Sequence, residues 1–202
     1  MARRKTACGG RSSKDWRNWI VGRTGPGLPQ GPASSRTAWR RLASRDLVAR
    51  AIDSDAILGA YPLTTRSTEH RVRLGGRVVR AMCAIDALGA GAMFRTDVAI
   101  DSRCRACDTP IWMVTSNEGT ALGQVEPPST VVWSGIRYEG ACAATSLCTV
   151  IAFFCSQAHL EAWRKAYHPD AKGYCLTLDE AMQVGRALFA PLLRPAEPAE
   201  LE

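Results

Sequence analysis

The stretch AMCAIDALGAGAMF (81–94) decides how this chain is read. Thirteen of its fourteen residues are apolar or small, and Ala and Leu dominate, so the stretch predicts a helix in apolar surroundings. Asp86 interrupts it, three positions after Cys83. A carboxylate among apolar neighbours is costly unless it is paired or protonated. On a helix, residues three apart share a face, so the thiol and the acid project together. At the start of that helix, the dipole is expected to lower the Cys83 pKa below the free thiol value of about 8.5. Desolvation should instead raise that of Asp86. Such a pair can supply a soft ligand or nucleophile beside an acid/base. The same residues also fit a core cysteine and an acid that caps a neighbouring element.

Outward from this helix the pattern turns to strands. Upstream, TAWRRLASRDLVARA (37–51) predicts a short helical segment. ILGAYPLTT (57–65) and HRVRLGG (70–76) are rich in strand formers and predict a hairpin across the polar RSTE, with RVVRA (77–81) continuing extended. Downstream, strands are expected at TDVAI (96–100), PIWMVT (110–115) and TVVWSGI (130–136). CAATSLCTVIAFFCS (142–156) predicts a buried turn leading into a strand. SQAHLEAWRKAY (156–167) starts with a serine at an N-cap position and has apolar residues at helical spacing. TLDEAMQVGRALFAPLL (177–193) opens with Thr177 and Glu180 at capping-box spacing and is stopped by Pro191. These elements make an α+β fold of short mixed and antiparallel β-sheets with covering helices.

At 202 residues the chain can hold one domain with a sizeable core. Its net charge of +7 is unevenly placed. Residues 1–50 carry 12 Lys/Arg against 2 Asp/Glu, a net +10, whereas residues 51–202 carry 14 against 17, a net −3. The basicity belongs to a Gly/Pro/Ser/Arg-rich segment, 1–36, expected to be a disordered tail. No base-reading motif accompanies this charge, so nucleic acid is not the expected partner. No apolar run approaches the roughly 18–20 residues that span a bilayer, and no secretory h-region follows the basic start, which points to a cytoplasmic protein without a membrane partner. In that compartment the eight cysteines are expected as reduced thiols.

Cys148, in SLCTVIAFF, suits a small core residue as well as a ligand. Cys104 and Cys107 form a single C-x-x-C, half of the four-ligand set that zinc needs, with no second pair following. His159 falls inside an amphipathic helix, a structural placement. No Gly-rich phosphate loop, G-x-S-x-G elbow or H-E-x-x-H is present.

The order of these motifs resembles the organomercurial (alkylmercury) lyase family over roughly residues 55–190. LGAYPLTTRSTEHRV followed by MCAIDAL is similar to that family's β-hairpin and W-C-A-L-D-T segment. IDSRCRACDTPIWMVT resembles the stretch carrying its structural cysteine, onto which Cys104 falls. QVEPPSTVV, SLCTVIAFFCS and GYCLTLDEAMQVGR follow in the family's order. The resemblance implies a Cys-Asp-Cys triad at Cys83, Asp86 and Cys148, which cleaves carbon–mercury bonds by protonolysis and then holds Hg(II). It implies no organic cofactor, external thiols for turnover, an organomercurial substrate, and hand-off of Hg(II) to a mercuric reductase in mercury detoxification. Mercury is soft and prefers thiolates, which agrees with the residue types. Met82 stands where some members have tryptophan, Thr149 where some have a further cysteine, and Cys107 and Cys155 are extra thiols. The expected organisation is a tail over 1–36, a helical remnant of the family's N-terminal region over 37–54, a lyase-like catalytic domain over 55–195, and a flexible tail over 196–202. A non-catalytic mercury-binding or sensing protein of the same fold is the alternative; a zinc-stabilised binding module built on Cys104 and Cys107 is a third.

Overall fold

Cys83 begins the element around which the rest is arranged. In the computed structural model, which describes residues 33–51, 56–139 and 142–193, its side chain caps a helix spanning Ala84–Phe94. A first helix, α1 (Ala33–Ala43), precedes it in the chain, so this central helix is α2. Every residue of α2 is buried, Asp86 included, as a helix otherwise apolar on every side requires. It ends at Arg95, whose left-handed backbone (φ 50°) turns its N–H back onto the Gly91 carbonyl.

Two antiparallel sheets flank this helix. The larger has eight strands in the order β1-β2-β3-β5-β4-β6-β7-β8. These are β1 (Val48–Arg50), β2 (Ile57–Ala60), β3 (Leu63–Thr64), β4 (Arg71–Leu74), β5 (Arg77–Ala81), β6 (Ala99–Arg103), β7 (Pro110–Ser116) and β8 (Ala121–Glu126). The smaller holds β9 (Val131–Gly135) between β10 (Ile151–Phe154) and β11 (Gly173–Thr177). Helices α3 (Gln157–Tyr167) and α4 (Leu178–Phe189) complete the described chain. Ser156 caps α3 by accepting from the His159 N–H, and α4 opens with the full Thr177/Glu180 capping box.

α4 runs against α2, and the crossing depends on two glycines. A Cβ on Gly89 would sit 2.7 Å from the Gly185 carbonyl oxygen and 2.4 Å from Phe189 Cδ2; one on Gly185 would sit 2.8 Å from the Ile85 carbonyl oxygen. No side chain fits there, so the two backbones meet directly. Leu88, Val72, Ile100, Met113, Phe153 and Phe154 fill the rest of the core.

The architecture is the expected α+β arrangement, with three local differences. The predicted hairpin of 57–65 with 70–76 is not formed. β2 instead doubles back onto β3 within the first segment, and Gly75 and Gly76, both at positive φ, turn β4 back onto β5 rather than extending it. The segment over 37–54 is not wholly helical: α1 starts earlier, at Ala33, and Val48–Arg50 is a strand paired with β2. Strands β8 and β11 were not anticipated. Each is an edge strand with one partner and mostly half-exposed or exposed side chains, so neither shows a strand-like apolar alternation. The expected tails over 1–36 and 196–202 lie largely outside the described residues. No helix among the described residues is long and apolar enough to cross a membrane.

Candidate active site

Three segments distant in sequence converge at the N-terminus of α2. Cys83 occupies the N-cap with extended backbone, and its sulfur accepts the Asp86 N–H at 3.4 Å. A cysteine thus takes the place of the usual serine or threonine cap, with the acid at the third helical position. Cys148 arrives from the other side, on a 3-10 turn (Leu147–Val150) that leads directly into β10. Its thiol donates to Asp86 Oδ2 at 3.6 Å. The two sulfurs and the carboxylate all lie within 4.8 Å of one another, and all three residues are buried. The chain therefore brings together the three residues that the sequence singled out.

Their electrostatics are set by burial. Desolvation raises the Asp86 carboxyl to about 7, against weaker opposing hydrogen bonds from Cys83 and Cys148. Near neutral pH this acid therefore both takes up and gives up a proton. The Cys83 thiol is also pushed upward, first by desolvation and then by its hydrogen bond with Cys148 and the nearby Asp86. This corrects the expectation that the helix dipole lowers it. The helix N–H does favour the thiolate, but a fully enclosed sulfur loses more hydration than one amide returns.

A cavity of about 250 Å³ opens beside the cluster, with Cys148, Thr149, Met82, His70, Arg105 and Ala49 among its walls. Ala49 belongs to β1, so the N-terminal segment contributes part of the enclosure. The loop before β1 also braces the Cys148 segment. Asp46 Oδ2 accepts from the Ala143 N–H at 2.8 Å and from the Tyr138 hydroxyl at 3.3 Å.

Two neighbours escaped the sequence reading. The Tyr61 hydroxyl is buried with no hydrogen-bond partner, and burial together with Cys148, Asp46, Asp86 and Cys142 pushes its ionisation upward. His70 is buried in the cavity wall, bonded through Nδ1 to Ser102 Oγ at 2.9 Å, and burial lowers its pKa to about 4, so it is a neutral imidazole. Both lie in the LGAYPLTTRSTEHRV stretch, but only the fold brings them beside the cluster. Cys104 is not part of this cluster. It joins Cys107, Cys155 and His159 in a second group of four.

The geometry can be set beside known proteins. A family model described as "MerB: Alkylmercury lyase" matches residues 63–190. An alkylmercury lyase of Pseudomonas putida is 30% identical over 135 residues, covering 67% of this chain and 61% of that protein. One from Staphylococcus epidermidis is 28% identical over 139 residues, covering 69% and 62%. The chain thus spans about three-fifths of the length of these relatives. A solved structure described as the mercury-bound form of MerB2 superposes with a TM-score of 0.67 at 32% identity, covering 80% of this chain and 76% of that one. The matched region runs from β3 past the end of α4 and encloses both arms of the buried sulfur cluster, and on that ground the chain belongs to the alkylmercury lyase family.

Proposed function

We propose that the chain is an organomercurial lyase, with Cys83, Asp86 and Cys148 as its catalytic residues. The observation that carries this reading is the enclosure of two thiols and one protonatable carboxylate within 4.8 Å of one another, beside a cavity. Two metal–thiolate bonds of about 2.3 Å each span up to about 4.6 Å, so one soft metal atom could bridge both sulfurs with little movement.

The steps follow from the residues. An organomercurial cation, R–Hg⁺, enters and one thiol binds mercury, releasing its proton to solvent. Burial disfavours a free thiolate at Cys83, so deprotonation is coupled to metal binding rather than preceding it. The second thiol then binds, passing its proton to Asp86. With two thiolates on the metal, the carbon–mercury bond weakens. Asp86 delivers the proton to the carbon, the bonding pair leaves with carbon, and R–H departs. Mercury remains as Hg(II) held by Cys83 and Cys148. The balance is R–Hg⁺ plus two thiols giving R–H, a dithiolate-bound Hg(II) and one proton. Carbon–mercury protonolysis needs no electron transfer, so the residues alone can supply the chemistry. External thiols, or a mercuric reductase, would then remove the metal in a detoxifying sequence.

The alternative is mercury binding without cleavage at the same residues. Incubation of the purified protein with methylmercury and excess thiol separates the two. Methane release, abolished by Cys83→Ser and by Cys148→Ser, is expected; Hg(II) binding with no hydrocarbon released would overturn the enzyme reading.

A further inference from the structure

The second sulfur cluster stands apart from this chemistry and comes from two short segments of the chain. Cys104 closes the end of β6, and Cys107 lies in the turn toward β7. Cys155 follows β10, and His159 lies in the first turn of α3. Their ligand atoms, three sulfurs and one imidazole nitrogen, all lie within 4.8 Å of one another. His159 Nδ1 is 3.2 Å from Cys155 Sγ and 3.1 Å from Cys107 Sγ, and those two sulfurs are 3.7 Å apart.

The sulfur–sulfur spacing matches an edge of a coordination tetrahedron, and Cys104 Sγ lies within 4.8 Å of the other three ligand atoms. Bonds of about 2.3 Å to sulfur and about 2.0–2.1 Å to nitrogen place sulfurs about 3.8 Å apart, and sulfur about 3.6 Å from nitrogen. The nitrogen is slightly closer than that, within the adjustment of a side-chain rotation. One imidazole nitrogen thus faces two sulfurs at once, as it would around a shared ion. The backbone is also shaped for the purpose. Cys104 N–H donates to the Thr109 carbonyl and Asp108 N–H to the Cys104 carbonyl, both at 2.9 Å, which folds C-R-A-C into a tight knuckle. Arg105 N–H donates to the Phe153 carbonyl at 3.0 Å, which fixes the knuckle against β10.

We propose that Cys104, Cys107, Cys155 and His159 form a closed structural zinc site that ties the β6–β7 turn to the start of α3. The donor set is Cys₃His, whose softness and tetrahedral arrangement suit Zn²⁺, and all four positions belong to the protein, so no position is left for a substrate. Binding displaces the thiol protons to solvent and leaves three thiolates and a neutral imidazole on the ion. The spacing from Cys155 to His159 is C-x₃-H, which supplies the pair that the lone C-x-x-C lacked. The site lies at the far end of β10 from the turn bearing Cys148, so it stiffens the strand that carries that residue.

The test is elemental analysis of the full chain purified in reducing buffer without chelator, followed by Co²⁺ replacement and visible spectroscopy. One zinc per chain and an intense tetrahedral cobalt spectrum with thiolate charge-transfer bands are expected. Cys107→Ser, at an exposed thiol, and His159→Ala should each weaken zinc binding by more than about 100-fold, since even the loss of a supporting outer partner costs 10–100-fold. Circular dichroism under saturating zinc checks that each variant folds. Cys148→Ser and Cys175→Ser should retain full zinc content, whatever becomes of mercury cleavage. The proposal is overturned if the wild-type chain neither retains nor takes up zinc, if Cys107→Ser and His159→Ala bind it as the wild type does, or if Cys148→Ser loses it. A Cys107–Cys155 disulfide in the reduced, zinc-exposed protein would overturn it equally.

Discussion

Asp86 shows how a single buried group ties stability to chemistry. Its carboxyl titrates near 3.8 in a free chain and near 7 in the fold because desolvation penalises the anion. Between those values the folded state holds a proton that the unfolded chain has released, so this residue's contribution to stability declines as pH rises from about 4 to about 7 and is level above that. Asp86→Asn removes the titration. Its unfolding free energy relative to wild type should therefore increase across that window, by on the order of a few kcal/mol at full extent. Paired chemical denaturation curves at pH 5 and pH 8 measure it; a difference between the two proteins that does not change with pH would refute the assignment. The same variant should lose methane release from methylmercury, because an amide carries no transferable proton. The composition of 81–94 made this acid conspicuous, and its burial could be anticipated from its neighbours. The direction of the Cys83 shift could not: the opposing contributions of helix dipole and burial are weighed only once the enclosure is known.

At the scale of elements, the α2–α4 crossing is the most exacting contact. Gly89→Ala or Gly185→Ala forces a methyl group against opposing backbone and should cost about 1–3 kcal/mol, read as a lowered thermal midpoint. The Asp46 brace acts differently. Asp46→Ala leaves the Ala143 N–H without its carboxylate and should speed hydrogen exchange over residues 142–150 while leaving α2 protected. Unchanged exchange there would show that the turn carrying Cys148 is held by β10 alone. Helices α3 and α4 were legible because their caps are local signals, Ser156 for one and Thr177 with Glu180 for the other. β8 and β11 were not, since an edge strand with half-exposed side chains has no strict period in its residues. The β4–β5 hairpin was hidden by Gly75-Gly76, which can equally relax an extended run or reverse it.

For the whole molecule, two clusters of sulfur ligands are joined through one short strand, with Cys148 before β10 and Cys155 after it. If zinc braces the second cluster, chelation should lower the thermal midpoint of the full chain, and added Zn²⁺ should restore it in proportion to occupancy. The Cys83–Asp86–Cys148 cluster was legible because its residues lie in motifs recognisable by order along the chain. The Cys₃His group was only half legible: Cys104 and Cys107 are three apart in sequence, whereas Cys155 and His159 reach them through sheet topology. Of the cavity walls, Met82, Cys148 and Thr149 stood in legible motifs, whereas Ala49 and Arg105 meet the site only through the fold.

The complete burial of α2 carries a further consequence for how this chain can vary. In most enzymes a scaffold face and a working face can drift separately, so neutral changes accumulate on one while the other is held. α2 has no face exposed to solvent. Its first turn supplies Cys83 and Asp86, and its remaining turns supply the interior against which both are set. A saturation scan of residues 83–94 should therefore find the lowest tolerance in the molecule, with losses of abundance and of activity falling together rather than at separate positions. The route to altered specificity then lies not in this helix but in the cavity walls that other strands provide.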